Sequence, residues 1–437
     1  MRPQPDQEMI DLSQEQPASV DPPEPSIADK RWLYAKILSA GFSFFVAGVN
    51  DGSLGSLIPH VIRSYHVSTN LVVVVYVSTF AGWLLAAVTN SALCQYLGLG
   101  AILALGAALQ VLSHALRAWL PPFSLYVVTF FLASLGQAYN DTHANTYVAS
   151  VNAAHRWLGF IHAMYMAGCL VGPLVATAVA SVGTTTQWNL FYLAPLGLGV
   201  LNLAFVLTAF HNQLAIKSAT SDPSPEGSRD DPHAHSHSKS HRALVEIKNT
   251  LRVPTVWLAS LYFFFFLGAA ITAGGWMVEY LVNVRHGNLD AMGYVPTGFY
   301  GGAFLGRLLL AEPTFRLGER RMIFLYAVIC VGLQLVFWLV PSIIVEAVAI
   351  CVLGFFSGPF FAAGISVASK IFPPDVRSSA IAFVFVFGQI GGSLFPVLTG
   401  ILSARTGVKV LQPMLVGLLC ATAISWLLLP KLPKPRD

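Results

Sequence analysis

Two carboxylates stand where charge is costly. Asp51 follows Asn50 within Gly41–Pro59, and Asp141 lies within Leu135-Gly-Gln-Ala-Tyr-Asn-Asp-Thr-His-Ala-Asn-Thr-Tyr147. Both stretches are embedded in apolar runs long enough to cross a bilayer. A carboxylate at that depth costs several kcal/mol or more unless it is paired, hydrated or protonated, which makes it a functional-site candidate. Asp141 and Asn145 are four apart and stack on one helix face, with Gln137 one turn earlier. A low dielectric favours the neutral acid and water favours the anion. A carboxyl that is enclosed and wetted in turn therefore takes up and releases a proton. Asp141 and Asp51 are accordingly the expected proton-coupling residues, and if they approach each other they titrate as a pair. Asn50, Asp51, Gln137 and Asn145 supply the convergent donors and acceptors that a neutral polyol requires.

Twelve apolar spans can position these groups: roughly 35–61, 70–93, 99–119, 123–149, 157–181, 188–210, 255–283, 291–311, 320–340, 343–369, 377–402 and 408–429. Residues 1–34 read as a Pro- and acid-rich cytosolic tail without an apolar leader core, 35–210 as one six-helix half, and 211–254 as a His- and Ser-rich linker. Residues 255–429 form the second six-helix half and 430–437 a short tail. The predicted fold is thus an all-α integral membrane protein.

Only 11% of the residues are charged and 55% are hydrophobic, with mean hydropathy +0.64. A soluble domain carries about 25% charged residues, so the soluble classes are excluded. The net charge of +4 does not signal nucleic acid, because the basic residues sit at helix ends. With the amino terminus inside, only Arg63, Arg117, Arg285, Arg405 and Lys409 of the 25 Lys and Arg fall on the outer side. That bias puts both termini in the cytosol. The five cysteines have no metal-ligand spacing and read as small core residues; no metal and no cofactor is expected.

The halves repeat. Gly168-Cys-Leu-Val-Gly172-Pro173 is echoed by Gly391-Gly-Ser-Leu-Phe-Pro396, and Val148-Ala-Ser150 by Val367-Ala-Ser369. Gly168, Gly172 and Pro173 are expected at a helix-packing face. Pairing Gly48 with Gly268 sets Ile271 opposite Asp51, so coupling is expected in the amino-terminal half alone. Glu279 and Glu346, in the outer thirds of their spans, are expected to snorkel to the surface. His143 is expected at a helix interface. Trp276, with Tyr139 and Tyr147, offers the aromatic face a sugar site wants. The run His233–His241 could hold a soft metal weakly, though a solvated loop is the plainer reading.

Two six-helix halves joined by a long cytosolic loop resemble the major facilitator superfamily, whose substrate site lies between the halves near the midplane. Gly302-Ala-Phe-Leu-Gly306-Arg307 followed by Leu317-Gly-Glu-Arg-Arg321 resembles its cytoplasmic-loop signature. That resemblance implies an inner gate resting on Arg307, Glu319, Arg320 and Arg321. Asp141-Thr-His-Ala-Asn145-Thr-Tyr-Val148 and Asn50-Asp51 resemble the fourth- and first-helix motifs of the fucose permease branch, the fucose–galactose–glucose:proton symporters, in a fungal-type member. The resemblance implies proton carriage by Asp141 and solute contact by Asn50, Asp51 and Asn145. Asp stands where that motif has Glu, and Thr146 where it has Pro. Gly159, Gly168 and Gly172-Pro173 are also similar to the fifth-helix signature of drug:proton antiporters.

The expectation is a proton-coupled symporter of a hexose or similar small polar solute, a monomer in the plasma membrane or an internal one, and no enzyme. The rivals are a proton antiporter exporting apolar metabolites and a receptor that binds solute without flux.

Overall fold

The computed structural model describes residues 27–182, 187–215, 248–374 and 376–430. The acidic tail before residue 27, the His233–His241 run and residues 431–437 lie outside them. The described chain is helical throughout. In order come α1 (Ile27–Tyr65), α2 (Thr69–Tyr96), α3 (Leu99–Ala118), α4 (Phe123–Ala149), α5 (Ala154–Val182) and α6 (Leu193–Ala209), the last entered through a 3-10 turn at Trp188–Tyr192. The second half has α7 (Pro254–Asn283), α8 (Val295–Leu309), α9 (Glu319–Leu339), α10a (Ile343–Ser357), α10b (Phe360–Ile371), α11 (Arg377–Thr406) and α12 (Leu411–Leu428).

Local chemistry sets the boundaries. Pro254 opens α7 at a position where its missing N–H is no loss. Gly407, at φ +79°, stops α11 in a conformation that side chains resist. The span expected at 343–369 is broken at Gly358-Pro359: proline donates no hydrogen bond, and Gly358 shares its N–H between the carbonyls of Gly354 and Phe355.

Ten of the helical segments are long and apolar enough to cross a membrane. The two that fall short are α8, only 15 residues long, and α4. The reason differs for α4: Gln137, Asn140, Asp141, His143 and Asn145 dilute its hydropathy, and it turns Gln137, Asn140 and His143 inward. The most polar span is thus the one that packs on α1, α2, α3 and α5.

The packing has approximate twofold symmetry. The heaviest pairing in the first half, α1 on α5, has its counterpart in α7 on α11; α2–α4 corresponds to α8–α10a, and α3–α6 to α9–α12. The repeated Gly–Pro motifs build the two central seams. A Cβ at Gly168 would fall on the carbonyl of Phe45 and one at Gly172 on that of Val49, while Gly391 stands against the carbonyl of Phe264 in the same way. Backbones touch because no side chain intervenes. Gly159, by contrast, has open space around it. Only part of the antiporter-like glycine pattern therefore has a packing role.

The halves meet through α1–α7, α2–α11 and α5–α8. At the end of the bundle that holds Tyr65 and Asn283, Gly55 rests on the backbone of Gly274, Ser56 Oγ donates to the Gly293 carbonyl at 2.8 Å, and Gly293 lies against Thr177. Toward the other end the described polar contact between halves is Arg307 Nη1 to the His162 carbonyl, at 3.4 Å.

Candidate functional site

Asp51 sits midway along α1, and three side chains converge on its carboxylate. Asn50 Nδ2 donates to Oδ1 at 3.0 Å. Gln137 Nε2 of α4 and the Tyr165 hydroxyl of α5 donate to Oδ2 at 2.8 and 2.9 Å. A carboxylate that accepts three hydrogen bonds has most of its lost hydration replaced.

The cluster continues into a buried cation. Arg117, only 1% exposed, donates from Nη1 to Asn50 Oδ1 at 2.8 Å and from Nε to Thr129 Oγ1 at 2.7 Å. Its guanidinium lies 3.7 Å from the Phe130 ring centroid and 5.3 Å from that of Tyr192. Tyr192 in turn shares a 2.8 Å hydrogen bond with Tyr126. The Lys/Arg count assigned Arg117 to the outer surface. The structure corrects that: the side chain turns inward, where Asn50 and Thr129 accept from Nη1 and Nε and two aromatic faces flank it, while Nη2 is buried without a hydrogen-bond partner among the described residues.

Asp141 is one turn beyond Gln137 on α4, half-buried, with Oδ1 enclosed and lacking a hydrogen-bond partner. It also feels the charge of Asp51. Asn145, a further turn along, is half-buried, and no side-chain hydrogen bond of it occurs among the described residues. Gln137, Asp141 and Asn145 thus run as a stripe away from Asp51 toward the end of α4. His143 faces the other way, its Nε2 2.8 Å from Asn90 Oδ1 of α2.

The site therefore joins a carboxyl that accepts three hydrogen bonds, a bridged guanidinium and a separate carboxyl with one enclosed oxygen that lacks a partner, all in one six-helix half. The Major Facilitator Superfamily matches residues 40–345 and 273–437, together most of the chain. The chain belongs to that superfamily. Bypass of stop codon protein 6 of Saccharomyces cerevisiae is 28% identical over 420 residues, covering 92% of this chain and 84% of that protein. Among solved structures, a D-xylose-proton symporter superposes with TM-score 0.70 at 13% identity, covering 92% of this chain and 98% of the other. The fucose:proton symporter of E. coli does so with TM-score 0.61 at 16% identity, covering 92% and 99%. These likenesses establish the major facilitator fold, the fold of a membrane transporter.

Within that superfamily frame the other expected site residues are dispersed. Trp276 is fully buried, and its indole N–H donates to the Pro396 carbonyl of α11 at 3.1 Å. Its ring packs the α7–α11 seam beside Gly400, so it offers no free aromatic face. The four residues expected to form one inner gate also separate. Glu319 accepts from Ser366 Oγ at 2.6 Å and from Lys370 Nζ at 2.5 Å, both on α10b. Arg320 caps the Leu427 carbonyl of α12 at 3.0 Å, and Arg321 is exposed. Glu319 and Arg320 thus bond inside the second half, with Arg320 Nη1 left without a hydrogen-bond partner among the described residues, and none of the three bonds to the first half there. Arg307 alone reaches across to α5, its guanidinium 5.9 Å from the Phe361 ring centroid.

Glu346 corrects a further expectation. It does not snorkel: it is fully buried and ion-paired with Arg285, whose Nη2 also donates to the Trp338 carbonyl at 2.7 Å. Tyr165 and Arg117 are the site residues the sequence reading missed. Tyr165 has a faint signal, since it lies one turn before Cys169 on the Gly168 face, but its partner is 114 residues away.

Proposed function

We propose that this chain is a proton-coupled symporter that moves a hexose or similar small polar solute by alternating access. The observation that carries the reading is the Asn50–Asp51–Gln137–Tyr165 cluster at the centre of the first half, with Asp141 a turn away. The cluster presents hydroxyl-matching groups, and the Asp141 carboxyl, whose Oδ1 is enclosed without a hydrogen-bond partner, supplies a place for a proton. The two sugar–proton symporters that share the fold agree with this substrate class.

With the amino terminus in the cytosol, the end closed by Gly55, Gly274, Ser56 and Gly293 is the outer end. Asp141 and Asn145 then point along α4 toward the cytosolic end, as a release pathway requires. Solute and proton are the partners, the bilayer is the solvent, and the plasma membrane is the proposed location.

The test is uptake of labelled hexoses and polyols by cells producing the protein, at acidic and neutral external pH. Acid-stimulated accumulation of one of them is the expected result. Absence of uptake across the panel, with correct localisation, would overturn the reading.

A further inference from the structure

Asp51 and Asp141 occupy the same polar centre with different surroundings. Asp51 accepts three hydrogen bonds, and the donor on its Oδ1 is the amide of Asn50, whose oxygen accepts from Arg117 at 2.8 Å. One amide thus links guanidinium to carboxylate: its oxygen faces the cation and its nitrogen the anion, so its dipole is aligned with the field between them. The guanidinium is itself fixed by Thr129 and by the faces of Phe130 and Tyr192, and cannot move away without giving these up. Asp141 has no cation beside it and carries an enclosed oxygen without a donor.

We propose that Arg117, acting through Asn50, holds Asp51 as the standing anion of the site, leaving Asp141 as the single carboxyl there that takes up a proton. Arg117 is on this view a positioning residue: it touches neither solute nor proton. The inference deepens the symporter reading and rests on it for its consequence in transport, but the ionisation states it assigns can be measured without transport. The charged and titratable groups in electrostatic contact with Asp51 among the described residues are Arg117 from α3, Asp141 from α4, Tyr165 and Cys169 from α5, and Tyr300 from α8. Arg117 is the one cation in that set. Removing it leaves Asp51 with neutral donors and a second carboxyl, which by charge alone favours protonation.

The experiment is infrared difference spectroscopy of the purified full-length protein, titrated from mildly alkaline to mildly acidic pH without added solute. The wild type is expected to gain a protonated-carboxyl carbonyl band that disappears in Asp141→Asn and persists in Asp51→Asn. Arg117→Gln is expected to gain a second such band, lost on adding Asp51→Asn. Asn50→Leu, which removes the bridging amide and keeps the arginine, should reproduce the second band, and Arg117→Lys should not. Should Arg117→Gln fail to fold, Asn50→Leu carries the test. A wild-type band lost in Asp51→Asn, or no second band in either bridge variant, would overturn the proposal. Because no solute enters the measurement, neither result depends on the chain being a symporter.

Discussion

The Gln137 amide of α4 donates to the Asp51 carboxylate of α1 across 86 positions of sequence, at 2.8 Å. That bond ties the helix carrying the proposed proton carrier to the helix carrying the proposed solute site. A change in protonation one turn along α4 therefore has a short mechanical and electrostatic path to α1.

Tyr165→Phe removes one of the three donors on Asp51 while keeping the ring and its packing. A hydrogen bond to a charged group contributes about 1.5–3 kcal/mol. Thermal stability in detergent should fall by about that amount, with the retained phenyl ring preserving the packing. Affinity for the transported sugar is expected to fall as well, because Asp51 loses a group that orients it. Binding and melting measured on the same preparation check both halves of the statement.

Asp141→Asn should abolish proton-driven accumulation while sparing solute exchange. The sign follows from the chemistry: the carboxyl must be protonated to load, so wild-type uptake rises as external pH falls, and the amide variant loses that dependence. Counterflow and accumulation assays at two external pH values separate these outcomes. Unchanged accumulation would remove Asp141 from the coupling role.

Gly168→Val and Gly159→Ala should differ in sign. The first drives a branched side chain into the Phe45 backbone, where overpacking costs about 1–3 kcal/mol. The second fills open space and gains up to about 1 kcal/mol of helix propensity. Melting temperatures of the two purified variants should lie on opposite sides of the wild type.

Glu346→Gln strands Arg285 in a mostly buried position. Breaking a buried pair by removing one partner costs about 3–5 kcal/mol. The lower end is expected, since Arg285 keeps the Trp338 carbonyl and some exposure. The melting temperature should drop clearly while the pH dependence of uptake is unchanged, since the pair joins the turn after α7 to α10a, away from Asp51.

Which parts of this were legible beforehand follows a physical division. Spans, halves and the polar stripe of α4 are local patterns of hydropathy and helical spacing, and the residues Asn50, Asp51, Gln137 and Asp141 could be named from them. Arg117 could not. A lone arginine at the end of an apolar run has the look of a topology anchor, and its partners Asn50 and Thr129 declare themselves only when α1, α3 and α4 meet. Glu346 follows the same rule, since its cation comes from 61 positions away, in the turn after α7. The Gly302–Arg321 motif suggests one gate because it is one stretch of chain, yet Glu319 and Arg320 each have a nearer partner on α10b or α12. Hydropathy gives depth; it does not give azimuth.

The interruption of α10 has a mechanical meaning. Its first segment, α10a, carries Glu346 and is anchored through Arg285. Its second segment, α10b, carries Phe361 and Lys370, the first beneath Arg307 and the second on Glu319. Between them the Gly358-Pro359 joint lacks one N–H, while α4, the corresponding helix of the other half, is unbroken from Phe123 to Ala149. One half thus has a stiff rod where the other has an elbow. The α10b segment can hinge on that elbow while α10a stays moored, a joint that α4 does not have.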